Sequence, residues 1–125
     1  MSLAKQRVLC VDDDVDTLLM LAQLLLREGF AVSTAETVED ALKLSQEDSF
    51  DLYILDTWLL RESGINLCLK IRGFDSISPI VIYSGAATLN DRVQAIGAGA
   101  TEFVPEPYIE ELLEIVRKLP NTFEA

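Results

Sequence analysis

Four apolar runs of this 125-residue chain each end in polar residues. After RVLCV come Asp12 and Asp13, after DLYIL comes Asp56, after PIVIY comes Ser84, and after TEFVP comes Glu106. Clustered carboxylates are ligands for hard divalent cations such as Mg2+. A carboxylate can also act as the nucleophile toward a phosphoryl group. These residue types therefore predict a magnesium-dependent phosphoryl site, provided that the fold brings them together.

Helical patterns separate the apolar runs, which predicts parallel strands that alternate with helices. The predicted strands are residues 7–11, 31–35, 51–55, 79–83 and 102–104. Pro105 cannot donate to a strand ladder, so the fifth strand is expected at a sheet edge. We predict one doubly wound, flavodoxin-like α/β domain with five helices and a five-stranded parallel sheet in the order 2-1-3-4-5.

In this order the first and third strands are neighbours where the winding reverses, and their carboxyl ends open on the same crevice. The acid pair and Asp56 are therefore expected to face one another. Two like charges about 4 Å apart repel by roughly 4 kcal/mol at an effective dielectric of about 20. A bound divalent cation would relieve this repulsion, which supports the prediction of a metal site.

The helices carry recognisable start and stop signals. Apolar residues at helical spacing define one stripe of the first helix, namely Val15, Leu18, Leu19, Ala22, Leu25 and Leu26. Gly29 is expected to end this helix in a left-handed conformation. Thr37 is expected to cap the second helix and Asn90 the fourth. A loop is expected at residues 57–64, and the last helix at about 108–118.

The bulk composition restricts the class of protein. The net charge is −11 and there is no histidine, which argues against nucleic-acid or anionic-lipid binding and excludes a phosphohistidine or an imidazole-based triad on this chain. Cys10 and Cys68 form no CxxC motif and are expected to be buried free thiols. With neither a signal peptide nor a run of about 20 apolar residues, we expect a cytoplasmic domain over 1–125 with its core at about 6–119.

The chain resembles the receiver domain of bacterial response regulators over nearly its whole length. The matching segments are VLCVDDD, DLYILDTWLLRESG, PIVIYSGA and FVPEPY. This resemblance implies that Asp56 accepts a phosphoryl group from a partner's phosphohistidine. It also implies that Asp13 binds Mg2+ directly, that Asp12 acts partly through water, and that Trp58 gives its backbone carbonyl to the metal.

The resemblance further implies that Ser84 bonds the phosphoryl group, that Gly85 occupies a position where alanine is usual, and that Phe103 swings inward on activation. The implied donor is a histidine kinase or a histidine phosphotransfer protein. The implied output passes through the fourth helix, fifth strand and fifth helix to a protein partner or to an effector domain outside this chain. Such a domain is a two-component phosphorelay switch in signal transduction, not an enzyme, and its only turnover is self-dephosphorylation.

Glu106 is the main departure from the family, which places a lysine before a proline at the end of the fifth strand. One hypothesis is that Asp56 accepts phosphate slowly or couples weakly to Phe103. A second is that the pocket binds divalent cations more tightly than usual. A third is that the domain is locked in one state and works by binding alone. In a different alignment Glu106 points outward. The Glu106–Pro107 bond is a candidate for the cis isomer, which the family's Lys-Pro bond often adopts. Leu60 also replaces a common proline.

Three functions compete at this point. The main hypothesis is a receiver that accepts a phosphoryl group on Asp56 with Mg2+ or another divalent cation. The alternative, favoured by Glu106, is a phosphorylation-independent pseudo-receiver that acts only by binding a protein. A metal-dependent phosphohydrolase usually has a second acid two residues after its nucleophile, where this chain has Trp58, and is therefore disfavoured.

Two apolar features leave open interpretations. Trp58 is either a partly buried loop anchor, or a partner contact or gate over the pocket. Met20, Leu21 and Leu24 lie outside the main stripe of the first helix. They either pack against the last helix or form a docking surface for a helical phosphotransfer partner, which in the family engages helix one.

Overall fold

The computed structural model describes residues 5–59, 62–85 and 88–119. The strands in chain order are β1 (Arg7–Val11), β2 (Ala31–Ala35), β3 (Leu52–Leu55), β4 (Trp58–Leu59), β5 (Glu62–Ser63), β6 (Ile80–Ser84) and β7 (Glu102–Pro105). The helices are α1 (Val15–Arg27), α2 (Val38–Glu47), α3 (Gly64–Arg72), α4 (Leu89–Gly97) and α5 (Ile109–Lys118).

The main sheet contains five parallel strands in the order β2-β1-β3-β6-β7. Among the sheet's own strands this is the predicted order 2-1-3-4-5, so the doubly wound fold is confirmed. The strand that contains Pro105 lies at the edge, as its missing donor required. None of the described helices has the length and apolar character needed to cross a membrane.

Two apolar clusters cover the two faces of the sheet. One joins the sheet to α2, α3 and α4 and includes Leu9, Leu55 and Ile82. The other joins it to α1 and α5 and includes Cys10 and Ile54. All four residues of β3 are buried, as expected for a central parallel strand covered on both sides. Both cysteines are buried and free, as predicted.

The buried face of α1 differs from the predicted stripe. The buried residues are Leu18, Leu21 and Leu25. The residues that are at least half exposed are Val15, Leu19 and Leu26. Because α1 is apolar around much of its circumference, spacing alone does not identify the stripe that meets the sheet. Leu21 shares a cluster with α5, as the packing interpretation predicted, whereas Met20 is exposed.

Several local predictions differ from the structure in their details. Thr88, not Asn90, caps α4, because Thr88 and Asp91 bond each other's backbone N–H groups in a capping box. Residues 57–64, expected to be a loop, contain the antiparallel pair β4 and β5. β3 and β6 each begin one residue later than predicted. Gly29 has a φ of +96° and Thr37 caps α2, as expected.

Gly64 brings the β4–β5 hairpin against the end of β3. Its backbone N–H donates to the Thr57 carbonyl at 2.7 Å. A Cβ at this position would overlap the carbonyl oxygen of Asp56. Glycine is therefore required by the close approach of two backbones. This contact fixes the segment that carries Trp58 relative to Asp56.

We expect Gly64→Ala to destabilise the domain, because forcing extra atoms into a packed region costs about 1–3 kcal/mol. Gly97→Ala is the matched control, since a Cβ there meets nothing within 4 Å. Alanine in a helix is favoured over glycine by up to about 1 kcal/mol. Urea unfolding measures both free energies. Wild-type stability in Gly64→Ala would contradict the close approach.

Candidate functional site

Three carboxylates from separate strands meet at the carboxyl edge of the sheet. Asp12 follows β1, Asp56 follows β3 and Glu106 follows β7. One oxygen atom from each of these side chains lies within 4.8 Å of the others. Asp12 is only 4% exposed, and the other two residues are half-buried. The parallel topology thus gathers acidic groups that are far apart in the sequence.

Glu106 faces this acidic pocket, so the outward orientation considered for it is wrong. Burial raises the pKa of the Glu106 carboxyl, and the negative charges of Asp56 and Asp14 raise it further. The Glu106–Pro107 peptide bond is cis, as considered from the sequence. The position at which the family carries a lysine therefore adds a third carboxylate to the pocket.

Asp12 has the most strongly perturbed titration of the three acids. Burial raises its pKa to about 7. A backbone N–H from Asp14, 2.9 Å from Oδ1 of Asp12, opposes this shift, while the charges of Asp56, Glu106 and Asp13 reinforce it. Near neutral pH the metal-free pocket therefore disfavours full ionisation of its acids.

Asp56 is held by hydrogen-bond donors from two directions. The buried Ser84 hydroxyl, at the end of β6, donates to its carboxylate. The backbone N–H of Thr57 donates at 2.8 Å and that of Trp58 also contributes. Burial nevertheless raises the pKa of Asp56, and the charge of Asp13 adds to the effect. Because β6 lies next to β3, the neighbouring strand supplies the hydroxyl group.

Asp13 and Gly85 lie beside the three carboxylates. Asp13 is half-buried and outside the closest group, although its charge acts on both Asp12 and Asp56. Gly85 is exposed, and a Cβ there would be 3.9 Å from the Glu106 Cβ, which is ordinary van der Waals distance. Alanine, the usual residue of the family at this position, would therefore fit as well.

Two aromatic residues occupy different environments. Trp58 is 57% exposed on the short strand β4, which leaves both the partly buried anchor and the surface contact open. Phe103 is buried, and the guanidinium of Arg92 in α4 lies 5.2 Å from its ring centroid. No sequence signal pointed to Arg92, since the contact depends on how α4 packs against β7. Leu60 lies outside the described residues.

The donor set fits a hard divalent cation. The converging groups are carboxylate oxygens, which Mg2+ and Ca2+ both prefer. Their mutual repulsion provides a physical reason for a cation to enter, since it would offset several negative charges at once. The geometry therefore supports a metal pocket that adjoins the hydroxyl of Ser84.

Asp12 should make the metal-free protein less stable as the pH rises. The folded-state pKa of Asp12, about 7, lies above the ordinary value of 3.8. Its stabilising contribution to the free energy of unfolding is therefore full below about pH 4 and is lost by about pH 7. Asp12→Asn does not ionise, and we expect this variant to lose less stability across that range. Urea unfolding without divalent cations tests this, with the exposed Asp16→Asn as control. An unchanged pH slope in Asp12→Asn would contradict the assignment.

Comparison with known proteins gives a match along most of the chain. A family model described as the response regulator receiver domain matches residues 8–117. Response regulator MprA of Mycobacterium tuberculosis is 32% identical over 114 residues, which are 90% of this chain and 50% of that protein. The chain therefore spans about half the length of the curated relatives that it matches.

Solved structures agree with this match. A response regulator protein from Burkholderia pseudomallei, with a phosphorylated aspartic acid, calcium ion and citrate, has a TM-score of 0.83 and 29% identity, covering 87% of this chain and 65% of that one. TrrA from Thermotoga maritima, in complex with Mg2+-BeF, has a TM-score of 0.82 and 32% identity. The match covers 92% of this chain and 99% of TrrA. This chain belongs to the receiver domain family of response regulators of two-component systems.

Proposed function

We propose that this receiver domain accepts a phosphoryl group on Asp56 with a divalent cation, Mg2+ in the simplest case, and signals by a change in conformation. The observation that carries the proposal is the position of the Asp56 carboxylate. It lies beside the buried Asp12 and accepts a hydrogen bond from the Ser84 hydroxyl. Two structural neighbours at 29% and 32% identity carry a phosphorylated aspartic acid and Mg2+-BeF, respectively.

The chemistry assigned to Asp56 is nucleophilic. One of its carboxylate oxygens forms a bond to phosphorus as the P–N bond of the donor's phosphohistidine breaks, and the imidazole leaves with the electron pair. Asp12, Asp13, Asp56 and the Trp58 carbonyl would hold the cation. When bound, the cation supplies positive charge that offsets the acids and polarises phosphoryl oxygens. The product is an aspartyl phosphate, so the domain serves as a switch, with self-dephosphorylation as its only turnover.

The path from the site to the surface runs through β6 and β7. In our proposal the Ser84 hydroxyl exchanges its bond to Asp56 for one to a phosphoryl oxygen. Ser84 pairs with Pro105 in the parallel register, and Ile82 pairs with Phe103 two positions earlier. A displacement of Ser84 therefore acts on the strand that carries Phe103. Through the contact of Arg92 with this ring, it also acts on α4.

Exposed apolar residues supply surfaces for the two partners. On α1 they are Val15, Leu19, Met20 and Leu26. Because α1 follows the acid pair directly, we assign this face to a histidine kinase or histidine phosphotransfer donor. On α4 the exposed apolar residues are Leu89, Val93 and Ile96. We assign this second face to the output partner. In this view residues 1–125 act as one cytoplasmic domain without direct nucleic-acid or membrane contact.

The pseudo-receiver hypothesis rested on Glu106 alone, and the comparisons lend it no support. A module that works only by binding has no need for three converging carboxylates at the edge of its sheet. Their repulsion would cost stability without a function. We therefore favour the phosphoacceptor over the constitutive binding module.

The fluorescence of Trp58, the chain's single tryptophan, tests the proposal. We expect a response to Mg2+ and a further response to beryllofluoride, a phosphoryl mimic, in the wild type. Asp56→Asn should lose the second response, because the acceptor carboxylate is gone. A wild-type response to Mg2+ only, or a beryllofluoride response that persists in Asp56→Asn, would contradict the assignment of Asp56.

We expect Glu106→Lys to bind beryllofluoride about tenfold more tightly or better, because an attraction replaces a repulsion beside the acceptor. Glu102→Lys is the matched control, since it makes the same charge change at an exposed position of β7, the strand that Glu106 follows. An equal gain in beryllofluoride affinity in both variants would mean that only the net charge of the domain affects this affinity. No gain in Glu106→Lys would refute the inhibitory effect of the glutamate.

A further inference from the structure

We infer that Glu106 is itself a ligand of the cation and that it shifts the preference of the pocket from Mg2+ toward Ca2+. The inference rests on the proposed function in one respect, namely that a divalent cation occupies the pocket. It goes further by placing in the coordination sphere a residue at which the family carries a lysine.

The spacing of the oxygens is the first argument. Two ligands on opposite sides of Ca2+ are about 4.6–5.2 Å apart, because each bond is about 2.3–2.6 Å long, whereas Mg2+ allows only about 4.0–4.2 Å. Oxygens of Asp12, Asp56 and Glu106 all lie within 4.8 Å of one another. Oxygens within this limit are close enough for one cation to approach all three, and the longer bonds of Ca2+ reach farther than those of Mg2+.

The number of available ligands is the second argument. Mg2+ is usually held by one or two carboxylates and keeps several of its waters, whereas Ca2+ takes 6–8 oxygen ligands and accepts bidentate carboxylates. Asp12, Asp13 and Asp56 already provide more carboxylates than Mg2+ usually needs. A further carboxylate from Glu106 therefore benefits the larger ion, which has positions left to fill.

The placement of Glu106 is the third argument. Its backbone N–H donates to the Ser84 carbonyl at 2.9 Å, which fixes the main chain beside the pocket. The ion pairs found among the described residues, Arg7–Asp48 and Arg117–Glu28, do not involve this carboxylate. Its charge is half-buried next to Asp56. A bound cation would therefore neutralise the negative charge of Glu106, which these ion pairs do not do.

Separate titrations of the metal-free protein with Mg2+ and Ca2+, by calorimetry and Trp58 fluorescence, test this inference. We expect the wild type to bind Ca2+ at least about tenfold more tightly than Mg2+. Glu106→Gln, which keeps the size of the side chain but lacks the carboxylate, should lose most of this preference by weakening Ca2+ more than Mg2+. Glu102→Gln makes the same charge change at the start of β7, the strand that Glu106 follows, and should retain the wild-type ratio.

Equal affinity of the wild type for both ions, or equal weakening of both ions in Glu106→Gln, would overturn the inference, because Glu106 would then act only through its charge. A Mg2+-beryllofluoride titration of the same samples separates this outcome from a failure of the proposed function. A response that depends on Asp56 together with an unchanged ion ratio would reject the Glu106 ligand alone. A Ca2+ preference that depends on Glu106, without a beryllofluoride response, would keep the ligand and reject the phosphoacceptor.

Discussion

Repulsion among buried carboxylates is the constraint on which this domain's site depends. A parallel sheet places the carboxyl ends of its strands on one edge, and the order found here brings the ends of β1 and β3 side by side. Asp12 and Asp56 meet there, and Glu106 joins them from the end of β7. Burial disfavours their charged forms, as the raised pKa of Asp12, about 7, indicates. The same topology that builds the core thus creates a pocket whose charge a cation would balance.

The contacts around Asp56 connect this pocket to both sides of the fold. On one side, the tight approach of Gly64 fixes the hairpin that carries Trp58. On the other, Ser84 joins the acceptor carboxylate to β6 and, through the strand register, to Phe103 in β7. Arg92 covers this ring from α4. A change of charge at Asp56 therefore acts on tightly packed backbone on one side of the pocket. On the other side it acts on α4, a helix with an exposed apolar face.

The strand order was predictable because the common doubly wound order 2-1-3-4-5 satisfies two simple constraints. Alternating strands and helices require parallel pairing, and Pro105 belongs at an edge because it lacks a donor. The acids that converge were also identified, since each follows a buried run. The buried face of α1 was not predictable, because leucines surround that helix and only contact with the sheet selects among them. The inward orientation of Glu106 and the position of Arg92 over Phe103 depend on packing between elements distant in sequence.

A working phosphoacceptor requires that Asp56 form an aspartyl phosphate despite the neighbouring Glu106. Mass spectrometry of the intact protein, after incubation with a small acyl phosphate and a divalent cation, would detect this group. We expect the wild type to gain one phosphoryl group that hydroxylamine removes. We also expect Asp56→Asn to gain none and Glu106→Lys to gain the group faster. No phosphoryl group on either the wild type or Glu106→Lys, or one that remains in Asp56→Asn, would contradict this expectation.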